Sequence, residues 1–247
     1  MSLTVENCSA GYGNKIVVNN VSFKINPGEF CALVGLNGCG KTTLLKAICS
    51  LLSKRTGKVK VNEQSVENLN EKQLAKLISF IPQRMSLIEG QRALDVVMMG
   101  YNPYLGIFEN PSEKQKQNAL EVMEKIGILD KQNEDFSHLS EGYKQLVILA
   151  RTMVQNTPVM LMDEPDSALD YVNKNMILTK IKDIIHNDKK SALISIHDPL
   201  SAIRYCDRLL IMKDGKIIKD IKLKNATREE IETSFALIYG DLQLFTW

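Results

Sequence analysis

The residues Gly35-Leu36-Asn37-Gly38-Cys39-Gly40-Lys41-Thr42 constrain this chain more than any other stretch. They follow the apolar run Phe30-Cys31-Ala32-Leu33-Val34 and spell G-x-x-x-x-G-K-[ST]. A strand that runs into a glycine-rich turn and then a helix turns several backbone N–H groups toward one point. The helix, expected from about Lys41 to Leu52, adds the positive end of its dipole. The glycines let the loop close on a polyphosphate, Lys41 reaches the β- and γ-phosphates, and the Thr42 hydroxyl can ligate Mg²⁺. Gly35, Asn37, Gly38, Cys39, Gly40, Lys41, Thr42 and Thr43 are therefore the expected nucleotide-binding residues, with Mg²⁺ beside the nucleotide. Such a loop belongs in an α/β fold with a mainly parallel sheet.

The bulk properties narrow the setting. A chain of 247 residues with 44% hydrophobic and 24% charged residues suits one large domain with a subdomain. A net charge of +2 gives no pull toward nucleic acid or anionic membrane, so no nucleic-acid partner is expected. No apolar run is long enough to span a bilayer, and Met1-Ser2-Leu3-Thr4-Val5-Glu6 lacks the blocks of a signal peptide. The five cysteines are scattered and show no C-x-x-C spacing. That argues against a disulfide framework or a zinc site and fits a reducing compartment. Any membrane role is expected to come through a partner, at the cytoplasmic face of the cell membrane.

Short strands are expected near Leu3–Asn7 and Val21–Ile25, with Asn26-Pro27-Gly28 as a turn, followed by strands at Phe30–Val34, Lys58–Val61 and Ile78–Ile81. The apolar runs Val159–Met162 and Ala192–Ile196 read as buried parallel strands. Asp214-Gly215 between Leu209–Met212 and Lys216–Ile218 is a hairpin signal. From Arg84 to Thr157 the pattern changes to helix spacing, with Leu120, Met123, Ile126 and Ile128, then Leu146, Leu149, Ala150 and Met153, recurring at three and four residues. The expectation is a nucleotide-binding core (1–83 and 158–247) carrying an inserted helical subdomain (84–157).

A second chemical block is Val159-Met160-Leu161-Met162-Asp163-Glu164-Pro165, a buried strand ending in two carboxylates. Adjacent side chains on a strand point to opposite faces, so Asp163 can serve Mg²⁺ while Glu164 polarises the attacking water. With it the chain resembles the ATP-binding cassette (ABC) ATPases from about residue 3 to about 240. Their L-S-G-G-Q signature appears as Leu139-Ser140-Glu141-Gly142-Tyr143. Gln83 after Ile81-Pro82, Ser167-Ala168-Leu169-Asp170 after the acids, and His197 after Ser195-Ile196 follow in the order that family uses. The resemblance implies a P-loop core with an N-terminal antiparallel β subdomain and an inserted helical one. It implies that Gln83 sits near Mg²⁺ and the water, and that His197 contacts the γ-phosphate and holds Glu164. Ser140 and Gly142 would touch the nucleotide of the opposite protomer in a homodimeric ATP sandwich. Asp170 would communicate across that dimer, and Tyr12 would stack on adenine.

Asp95-Val96-Val97-Met98-Met99-Gly100 and the aromatic loop Tyr101–Phe108 look like the corresponding segment of importers for iron–siderophore complexes, haem and vitamin B12. In those proteins the segment forms part of the groove for the permease's coupling helix, and a separate extracytoplasmic protein binds the substrate. The tail, Ala226–Ile231 through Ile238–Asp241, resembles their short ending, with too few residues after Asp170 for a large regulatory domain. The expected activity is ATP hydrolysis powering uptake of an iron chelate or cobalamin. An exporter, an importer of another substrate such as an oxyanion, and a non-transport ABC ATPase are the alternatives. Two positions depart from the family's usual pattern: Glu141 replaces a glycine and Tyr143 a glutamine, so a carboxylate stands near the expected triphosphate. Cys39, at a helix N-terminus that lowers thiol pKa values, is expected to block ATP binding when modified.

Overall fold

The apolar runs of the sequence become strands buried on both faces. In the computed structural model, which describes residues 1–53, 55–83, 90–167 and 169–240, the chain opens with β1 (Leu3–Tyr12), β2 (Lys15–Ile25), β3 (Phe30–Val34) and α1 (Lys41–Ile48). It continues with β4 (Arg55–Val61), β5 (Gln64–Ser65), α2 (Glu71–Ala75) and β6 (Ile78–Ile81). Three helices follow, α3 (Ala93–Met98), α4 (Glu113–Ile126) and α5 (Glu141–Gln155), before β7 (Val159–Asp163), α6 (Tyr171–Asn187) and β8 (Ser191–Ser195). The rest comprises α7 (Pro199–Tyr205), β9 (Arg208–Lys213), β10 (Lys216–Lys222) and α8 (Arg228–Tyr239).

The larger sheet has the order β10-β9-β3-β8-β7-β6. Its strands pair in parallel except the β9–β10 hairpin. Alternation explains why these strands are continuously apolar. Phe30, Ala32 and Val34 of β3, with Met160 and Met162 of β7, enter one core with the helices, while Cys31, Leu33, Val159 and Leu161 enter a second core with α1 and the smaller sheet. That smaller sheet, β2-β1-β4-β5, is antiparallel. Residues of α3, α4 and α5 share one continuous core with the sheet.

Some boundaries differ from expectation. Helix α1 stops at Ile48 because Cys49 leaves helical geometry and Ser50 adopts φ 55°. The first two strands run longer than expected, through Tyr12 and from Lys15, because they pair along one hairpin. Arg84, Ala168 and Asp241, which belong to expected segments, lie outside the described residues.

Candidate nucleotide site

Strand β3 ends at Val34, the loop 35–40 follows, and α1 begins at Lys41. Gly40 caps α1 at φ 113°, a left-handed setting that side chains rarely adopt. A Cβ there would also lie 3.0 Å from the Met212 methyl and 3.3 Å from the Val17 carbonyl. Lys41 is 5% exposed. Its Nζ donates to the carbonyls of Gly35 (2.8 Å) and Leu36 (3.3 Å), which folds the side chain back along the loop. The resulting cleft, about 370 Å³, is lined by Asn37, Gly38, Gly40, Lys41, Thr42 and Thr43, together with Val17, Gln83, Glu164 and His197. Glycine backbone, a helix N-terminus and one ammonium fit a polyphosphate.

The acids arrive differently from expectation. Strand β7 ends at Asp163, and Glu164 turns out of it at φ 48°, so the pair are separated by a bend rather than by strand alternation. Ser195, opposite Asp163 in register, makes that bend. Its hydroxyl donates to Asp163 Oδ1 (2.9 Å) and accepts from the Glu164 N–H (2.9 Å). The Glu164 carboxylate then meets His197 Nε2 at 2.6 Å, Gln83 Nε2 at 2.8 Å and Lys41 Nζ at 3.8 Å. Three segments far apart in sequence converge on the carboxylate of Glu164, a residue that is 7% exposed. Tyr239 of α8 donates to the His197 carbonyl (3.0 Å), tethering that residue from the other side.

Thr42, Gln83 and Asp163 offer oxygen donors of the kind Mg²⁺ takes. With a single carboxylate among them, most of an octahedral shell would fall to water and substrate phosphates, the usual arrangement for this ion. Among the described residues no cluster of three or more His, Cys, Asp or Glu could hold a metal without such help. Asp163 is buried and not among the residues that line the cleft, and Ser195 engages its Oδ1.

The signature residues stand elsewhere. Ser140 caps α5 and accepts from the Tyr143 N–H, and Gly142 packs on the Asn173 side chain. Neither lines the cleft. The Glu141 carboxylate is exposed and paired with Lys144 at 2.9 Å. That pair compensates the extra negative charge locally, and Lys131 sits 5.3 Å above the Tyr143 ring. Asp170 caps α6, accepting from the backbone (2.9 Å) and side-chain (2.8 Å) N–H groups of Asn173. Tyr12, half exposed at the end of β1, is beside the hairpin turn rather than in the cleft wall. The expected lowering of the Cys39 thiol pKa is corrected: burial pushes it above the ordinary value, outweighing the Lys41 charge and the backbone N–H groups.

Sequence reading missed Ser195 and Val17. A serine ending a strand beside the acid-bearing strand was the available signal for the first; a half-buried valine in a strand carries none. The Asp214-Gly215 turn is also closer to the site than its hairpin role suggests. The Gly215 N–H donates to the Cys39 carbonyl (3.0 Å) and its carbonyl accepts from the Asn19 N–H (2.8 Å).

A family model described as ABC transporter matches residues 18–167, more than half of the chain. The chain belongs to the ABC transporter family. This cassette is 34% identical over 218 residues to the "Probable iron chelatin transport ATP-binding protein" of Helicobacter pylori, covering 88% of this chain and 86% of that one. It is 34% identical over 238 residues to "Phosphonates import ATP-binding protein PhnC" of Mesoplasma florum, covering 92% and 94%. Among solved structures it resembles a dimeric post-hydrolysis state of the ATP-binding cassette MJ0796 bound to ADP and Pi. That match has a TM-score of 0.78 at 28% identity and covers 91% of this chain and 100% of that one. The cassette is an ATPase, with the P-loop ABC fold. No helix among its described residues is long and apolar enough to cross a membrane.

Proposed function

We propose that this ATPase powers import of an iron chelate, a siderophore or haem complex, through a separate membrane permease. The convergence of His197, Gln83 and Lys41 on Glu164 supports the hydrolytic half of that reading. In it Glu164 polarises the water, His197 holds Glu164 and meets the γ-phosphate, and Lys41 and Thr42 hold the phosphates. Thr42, Asp163 and Gln83 would assist Mg²⁺, which when bound neutralises phosphate charge. Ser140 and Gly142 complete the site of a second copy in a homodimer, with Asp170 at the seam. Tyr12 stacks on adenine, and the helical insert (84–157) moves against the core (1–83 and 158–247). The cassette sits at the cytoplasmic face of the membrane, and the permease receives substrate on the opposite face from an extracytoplasmic binding protein. The iron-chelatin relative and the Asp95–Phe108 segment favour a metal chelate. The phosphonate relative, equally identical over a longer alignment, favours an oxyanion as the second reading.

The test uses Glu164→Gln. Loss of a positioned general base should lower kcat by about 10²–10⁴-fold, with ATP binding retained and an ATP-dependent dimer seen by size exclusion. Wild-type turnover in this variant would remove Glu164 from its role. Trapped with ATP in native membranes, the tagged variant should co-purify with a polytopic permease. Uptake of labelled ferric siderophore or haem, against phosphonate, by cells with and without the intact cassette then separates the two substrate readings.

A further inference from the structure

The first turn of α6 makes contacts that none of the roles above uses. Asp166, two residues past Glu164, has a buried side chain whose Oδ2 lies 3.0 Å from Lys174 Nζ. The same ammonium donates to Asp198 Oδ2 at 3.2 Å. Asp198 directly follows His197 and caps α7, accepting from the Leu200 N–H (3.1 Å) and the Ser201 hydroxyl (2.6 Å). One cation thus spans from the segment leaving Glu164 to the residue after His197. Burial pulls the Lys174 ammonium down, but Asp166 and Asp198 more than offset it and leave it above the ordinary lysine value. Burial likewise pushes Asp198 up, while Ser201, Lys174 and the Leu200 N–H outweigh it and hold the carboxyl below the usual range.

The neighbouring residue faces the other way. Asn173 bonds Asp170 and packs on Gly142, the buried glycine of the signature helix. A single helical turn therefore touches the loop after Glu164, the loop of His197 and the cap of α5.

We propose that Lys174 is a positioning residue for hydrolysis: by bridging Asp166 and Asp198 it keeps Glu164 and His197 in contact. Through its neighbour Asn173 it links that pair to the α5 cap. The inference rests on the reading of Glu164 and His197 as the hydrolytic pair. The lysine itself is not among the residues that line the cleft. It acts on the 2.6 Å contact between His197 and Glu164 by setting where their two loops sit.

A purely structural ion pair and a positioning role part company in one set of variants. Lys174→Met leaves the buried Asp166 carboxylate without its cation, so its Tm should fall whatever the role. Adding Asp166→Asn removes that stranded charge and should restore the Tm. It leaves Asp198 still released, however, so kcat should stay about ten- to a hundredfold low, the scale of a misplaced catalytic group. The KM for ATP should remain within about twofold, because the phosphate loop is untouched. Lys174→Arg should regain part of the lost kcat. Recovery of kcat together with Tm in the double variant, or a wild-type kcat in folded Lys174→Met, would overturn the proposal. If Lys174→Met does not fold, the double variant alone decides. Glu164→Gln, measured in parallel, reports separately on the reading beneath: normal turnover there undoes that reading, whatever Lys174 does.

Discussion

At Glu164 the backbone takes φ 48°, a setting that costs a non-glycine residue about 1–3 kcal/mol when strained. Two bonds hold it: the Glu164 N–H to Ser195 and the Ser167 N–H to the Glu164 carbonyl. The bend aims the carboxylate at His197 and Gln83, which a straight continuation of β7 would not do. Cys39 shows the opposite balance, because burial overrides the helix terminus. With its pKa raised, the thiolate is scarce at neutral pH and grows only as pH climbs beyond the ordinary thiol value of about 8.5. Iodoacetamide should therefore label native Cys39 more slowly than a free thiol at pH 7, with the rate rising through the alkaline range. Cys8, Cys31, Cys49 and Cys206 are buried and should react later still. Labelled Cys39 should abolish ATP binding, since the added group crowds the phosphate loop. Peptide mass spectrometry paired with a nucleotide-binding titration checks both parts, and full ATP affinity after complete labelling at Cys39 would refute the second.

Among the elements, the β9–β10 hairpin has a second role as a brace. Gly215 sits at φ 76° between the Cys39 carbonyl and the Asn19 N–H, and a Cβ there would come 2.1 Å from the Val17 carbonyl. Gly215→Ala should cost about 1–3 kcal/mol in stability. If the brace shifts the loop by the same energy, ATP affinity should fall by up to about a hundredfold. Thermal melts and nucleotide titrations measure the two, and unchanged values for both would show that the turn is no brace. The sheet strands were legible in sequence because two-sided burial makes continuous apolar runs, and the phosphate loop because its glycines have a fixed spacing. Asp163 and Glu164 were legible as two carboxylates ending an apolar run, whereas Gln83 and His197 were legible only through their order along a family-like chain. Ser195, Asn173 and Lys174 were not. Each works through a partner remote in sequence or on another element: Ser195 sits in an apolar run that does not announce its partners, and an asparagine or lysine at the other two places looks like any surface residue. The bend at Glu164 was hidden for a related reason: strand alternation is a local rule, and a cross-strand bond from Ser195 overrode it.

At the scale of the molecule, the chain presents two kinds of surface. Ser140 and Gly142 stand apart from the cleft that holds Lys41, as halves of a site must if a second copy completes each one. The other surface is the aromatic loop after α3. Residues Met99–Tyr104 form a 3₁₀ turn containing Pro103. Asn118 donates to the buried Tyr101 hydroxyl (2.6 Å), Tyr104 donates to the Gln155 carbonyl (2.8 Å), and Lys72 holds the Leu105 carbonyl (2.6 Å). Past this anchored base, Ile107 is 89% and Phe108 98% exposed. Leaving two large apolar side chains in water forgoes about 1.5–3 kcal/mol each compared with full burial. A permease surface that covered them would recover part of it. Replacing both with serine should leave ATP hydrolysis by the isolated cassette within about twofold of wild type. Capture of the permease by the ATP-trapped cassette should fall by about tenfold or more, the equivalent of 1.4 kcal/mol or above. Pull-down from native membranes in the Glu164→Gln background measures this directly. Undiminished permease recovery would move the docking surface away from the loop, while loss of basal hydrolysis would show that the loop supports the fold instead.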